Sequence, residues 1–135
     1  MALATLSAVT VLCVVAPTAH AATSVNPFAG SWSGTYLSRT EPPLSGSIDW
    51  TISNAGLITG TFINYVNGPG TVHGHVDADG NLVLVFRPSW NPWHEGYPFL
   101  GTTEIDGGIL FATYTNPWPE WPMGGFTEDA ILERN

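Results

Sequence analysis

Beyond residue 22 a proline or glycine interrupts almost every stretch of ten residues, and apolar and polar residues alternate between the interruptions. Glycine is costly inside a helix, and proline removes a hydrogen-bond donor there, so no helix of useful length is expected. Alternation of period two is instead what a strand with one buried face requires. Trp32, Gly34 and Tyr36 share a face against Ser31, Ser33 and Thr35, and Ile48, Trp50 and Ile52 alternate with Ser47, Asp49 and Thr51. Ile58, Gly60 and Phe62 repeat the pattern, as do Val72, Gly74 and Val76. Leu82–Phe86 is apolar on both faces, which marks a covered strand or a contact surface. Phe99–Ile105, Ile109–Thr115 and Gly125–Glu133 complete a set of eight.

The connections narrow the topology. Ser53-Asn54-Ala55-Gly56, Asp77-Ala78-Asp79-Gly80 and Asp106-Gly107-Gly108 carry tight-hairpin chemistry, while the four connections between them read as long. If each strand pairs with the next, that parity gathers the four long loops at one end. The expected fold is all-β, an eight-stranded antiparallel up-and-down meander β-barrel, with an open two-sheet sandwich as the alternative. Glycines 34, 60, 74 and 101 fall inside strands, where they indicate sharp coiling or a backbone passing close by.

Ala2 to Pro17 is apolar and ends at Ala19-His20-Ala21, a small-x-small cleavage pattern. Residues 1–21 therefore read as a signal peptide, 22–135 as one β-barrel domain, and the protein as secreted, extracellular or periplasmic. No other segment approaches the roughly 18 apolar residues of a membrane helix, so no membrane association is expected of the mature form. Cleavage removes Cys13, the lone cysteine, and leaves stability to the core rather than to disulfides. The net charge of −8, with no lysine and only Arg39, Arg87 and Arg134 as permanent cations, repels phosphate backbones and excludes nucleic acid as a partner.

Gly30-Ser31-Trp32 on the first strand resembles the Gly-x-Trp signature of lipocalin and wider calycin barrels. The resemblance implies that Trp32 closes the narrow end, that Arg134 from the last strand packs across it, and that the long loops surround an open mouth. A second likeness covers Gly46–Phe62, which is similar to the second and third strands of avidin-type barrels. Phe62 stands where that family has a biotin-binding tyrosine, and it lacks the hydroxyl.

The expected mouth is aromatic and acidic. Trp93, Tyr97, Trp118 and Trp121, with Tyr36, Tyr65 and Tyr114 below, would offer ring faces to a small apolar or sugar-like molecule, and His94, Glu95, Glu120 and Asn116 would orient its polar groups. The competing reading is a lid, in which the two Asn-Pro-Trp loops pack their tryptophans on each other. A surface for protein contact, such as an extracellular inhibitor or adhesion module, is a third. An enzyme of cyclase or isomerase type would use Glu95 or Glu120 with His94 as acid and base. His73-Gly74-His75 pairs two imidazoles on one strand face, but Val72 and Val76 claim the inward face, so no metal site is expected. Asp77-Ala78-Asp79-Gly80-Asn81 resembles the start of a calcium loop, yet a hairpin turn accounts for it and the downstream glutamate is missing. No cofactor is implied.

Overall fold

The computed structural model describes residues 24–90, 96–117 and 126–135. Eight strands follow in chain order: β1 (Gly30–Ser38), β2 (Ser45–Ile52), β3 (Leu57–Asn64), β4 (Gly68–Val76), β5 (Asn81–Pro88), β6 (Tyr97–Asp106), β7 (Ile109–Thr115) and β8 (Thr127–Arg134). Each pairs antiparallel with the next, and β8 pairs back onto β1, so the sheet closes into an up-and-down barrel. Closure satisfies the edges that an open sheet of this length would leave exposed.

Alternation decides which residues turn inward. Trp32 and Tyr36 from β1, Ile48, Trp50 and Ile52 from β2, and Leu82, Leu84 and Phe86 from β5 all join one buried core. The four strand glycines occupy inward positions where a Cβ would run into the carbonyl oxygen of a neighbouring strand, Ile131 for Gly34, Asp49 for Gly60, Val83 for Gly74 and Thr113 for Gly101. The barrel is therefore coiled tightly enough that side chains fill its interior.

One end is stoppered. Phe28 is buried beneath the barrel, and its carbonyl accepts a 2.9 Å hydrogen bond from Trp32 Nε1. Asn26 anchors that segment by donating to the Val76 carbonyl and accepting from Phe28 N–H. The Arg134 guanidinium lies 4.2 Å from the Trp32 ring centroid and donates to the Ala29 carbonyl. The hairpins at this end are tight. In the β4–β5 turn, Asp77 Oδ1 accepts from the N–H groups of Asp79 and Asn81, and Gly80 takes φ +93°. All three carboxylate-directed bonds of Asp77, including that from Asn81 Nδ2, serve the turn and hold its carboxyl below the usual range.

The opposite end differs from the expectation in one respect. The β3–β4 connection is only Tyr65-Val66-Asn67, because β3 continues to Asn64 and β4 begins at Gly68. Asn64 Oδ1 accepts from both Val66 and Asn67 N–H at 2.9 Å, a side-chain turn that needs no long loop. Three long connections, not four, surround the mouth.

Candidate functional site

At the open end the inward positions of β1, β3, β5, β6, β7 and β8 bring together Tyr36, Phe62, Phe86, Phe99, Tyr114 and Glu128. The rings form one network. Phe62 meets Tyr36, Phe86 and Trp90 edge to face, at centroid distances of 6.4, 5.2 and 6.0 Å. Phe86 stacks on Tyr114 at 5.6 Å, and Phe99 meets both edge to face. Two glycines make room for this: a Cβ at Gly46 would strike the Tyr36 ring, and one at Gly70 the Phe62 ring.

The network leaves a chamber of about 40 Å³ bounded by Tyr36, Phe62, Phe86, Phe99 and Glu128, with Leu44, Asn64, Pro88 and Trp90 above. It holds a few water-sized groups. Leu44, Asn64, Pro88 and Trp90 also bound a wider outer cleft of about 190 Å³, which Asn67, Tyr97 and Phe126 complete. The sharing of these four residues makes the site a narrow chamber beneath a shallow apolar vestibule.

Its walls are pinned from outside. In the β1–β2 loop, Ser38 Oγ accepts from Leu44 N–H at 2.7 Å, and Arg39 grips Asp129 through two 2.8 Å hydrogen bonds. Trp90 follows Ser89, whose backbone N–H and hydroxyl both donate to the Pro69 carbonyl. The β7–β8 connection is tied at its base by Asn116 N–H donating to the Phe126 carbonyl.

Glu128 is the chemically unusual member. It is 5 % exposed, and burial lifts its pKa to about 7. Tyr114, its cross-strand partner, lies close enough to draw the value partly down, although the hydroxyl finds no well-aligned hydrogen bond. Burial, and then the neighbouring Glu128 charge, push Tyr36 up to about 12 and Tyr114 well above the ordinary tyrosine value. Among the described residues no cation pairs with Glu128. Arg39 is taken by Asp129, Arg134 lies over Trp32 at the far end, and Arg87 is exposed on β5.

Of the residues predicted for the mouth, Tyr36 lines the chamber and Tyr97 the vestibule. Tyr65 lies instead on the β3–β4 turn, 63 % exposed, because the short turn leaves it no cover. Trp93, His94, Glu95, Trp118, Glu120 and Trp121 lie outside the described residues. Sequence reasoning missed Glu128, Asn64 and the phenylalanines at positions 62, 86 and 99 as site residues. The signal for Glu128 was present: Ala130 and Leu132 face inward, and period two puts Glu128 beside them. His73 and His75 point away from the interior, since Val72 and Val76 are the buried members of β4.

No protein-family model, curated protein or solved structure matches this chain.

Proposed function

We propose that this protein is a secreted, calycin-like barrel that binds a small, largely apolar molecule non-covalently at its open end. The observation that carries the reading is the ring-walled chamber with a buried carboxyl at its side, opening into an apolar vestibule. Concave sites of this kind combine apolar burial for affinity with a few polar groups for orientation. The stacking of Arg134 over Trp32 and the closed meander support the calycin-like architecture. The apolar leader ending at Ala19-His20-Ala21 supports export.

Tryptophan fluorescence tests the binding reading, because Trp90 stands between chamber and vestibule and is 41 % exposed. One ligand class should shift the emission and slow acrylamide quenching, and Trp90→Phe should diminish that response. A spectrum indifferent to a broad panel of apolar, sugar-like and charged molecules favours the packed lid. A second reading, acid–base catalysis by Glu128, is favoured by its pKa of about 7, near which a carboxyl exchanges protons efficiently. Turnover lost in Glu128→Gln with binding retained would select it.

A further inference from the structure

Building on that reading, we infer that the inner chamber takes the ammonium head of a small primary amine, held by the buried carboxylate of Glu128 among aromatic rings. A carboxyl that is 5 % exposed must be either protonated or matched by a cation. None of the chain's three arginines is available to it, and the chain has no lysine. Among the described residues none supplies that charge, so an incoming cation can supply it to the ionised carboxyl, and the chamber lets it in.

The walls around Glu128 are aromatic. Tyr36, Phe62, Phe86 and Phe99 bound the chamber, and ring faces carry the negative side of the aromatic quadrupole. Polar acceptors lie on both flanks. Glu128 sits on β8, with Tyr114 directly opposite on β7 and Tyr36 one diagonal step away on β1. The Tyr36 hydroxyl oxygen, on the chamber wall, can accept from an N–H group that the carboxylate does not use. Among the described residues the titratable groups around Glu128 are these two tyrosines, with Tyr65 beyond Tyr36, while Asp129 faces outward to Arg39.

Size sets the rest of the ligand. About 40 Å³ admits an ammonium group and one or two methylenes, and the vestibule of about 190 Å³ receives an apolar body against Leu44, Pro88, Trp90 and Phe126. A net charge of −8 repels carboxylate ligands and draws cations toward the mouth.

Calorimetric titration with phenethylamine, against 2-phenylethanol as its neutral counterpart, tests the assignment. At pH 8 the amine should bind at least about tenfold more tightly than the alcohol, as a charge-assisted hydrogen bond would provide. Glu128→Gln, nearly isosteric, should bring the two within about twofold. In the native protein, amine affinity should rise about tenfold from pH 6 to pH 8 as the ionised fraction of Glu128 grows, with proton release measurable in buffers of different ionisation enthalpy. That profile needs no variant, so it decides the matter even if Glu128→Gln fails to fold. Equal affinity for amine and alcohol, or a flat pH profile, overturns the amine assignment while leaving a binding site in place. No amine binding, with a fluorescence response to another ligand class, overturns it as well. Silence in both experiments overturns the binding reading itself.

Discussion

Glu128 carries a thermodynamic cost that can be read out separately from any ligand. In the folded barrel it keeps its proton up to about pH 7, whereas its ordinary value is 4.5. Between those values the folded state holds more protons than the unfolded chain, so stability falls as pH rises through that window and levels off above it. The loss is on the order of 3 kcal/mol. Thermal melts should therefore drop from pH 5 to pH 7 in the native protein and stay level in Glu128→Gln. A melt of the native protein that does not fall across this window would remove the strained carboxyl from the account. Asp129 works in the opposite sense at lower pH, because Arg39 depresses its pKa and the pair loses its benefit as Asp129 protonates. At this scale the sequence was read incompletely. The tryptophan-rich loops drew the acid–base assignment to Glu95 and Glu120, while the carboxyl that the fold buries lay within a strand and was betrayed only by the parity of Ala130 and Leu132.

Among the elements, strand identity was legible because period two and turn chemistry agree. Every one of the eight expected segments lies largely within an observed strand. The β3–β4 connection was misread because Ile63, Asn64, Gly68, Pro69 and Gly70 look like loop material. Pro69 is tolerated within β4 opposite Ile63, and Asn64 supplies the turn with its own acceptor. Asn64 also stands beside Tyr36 on the chamber lining, so one side chain joins the turn to the chamber wall. The strand glycines carry the sharpest prediction here. Gly74→Ala would push a Cβ into the Val83 carbonyl, which backbone hydrogen bonding holds in place. Such overpacking typically costs 1–3 kcal/mol, and denaturant unfolding should register a loss of about that size or more. The outward position at Thr71, on the same strand, should tolerate alanine with little change.

For the molecule as a whole, closure makes the strands interdependent: each has two hydrogen-bonded neighbours, and all eight contribute to the ladder. Unfolding should be a single transition, with tryptophan emission and far-ultraviolet circular dichroism changing at the same denaturant concentration. Separate midpoints would mean that the open end loosens before the stoppered end. The meander was legible from the recurring tight turns and its closure from the cost of open edges, but the filling of its interior was not, since period two says which residues face inward and nothing about how closely opposite walls approach. The stopper itself has a practical corollary. Phe28 and Arg134 place the beginning and end of the barrel side by side, and Asn135 N–H donates to the Ser31 carbonyl at the same end. A surface linker or reporter fused just before Asn26 or after Asn135 would therefore hold every molecule with its mouth facing away from the support, ready to sample the solution.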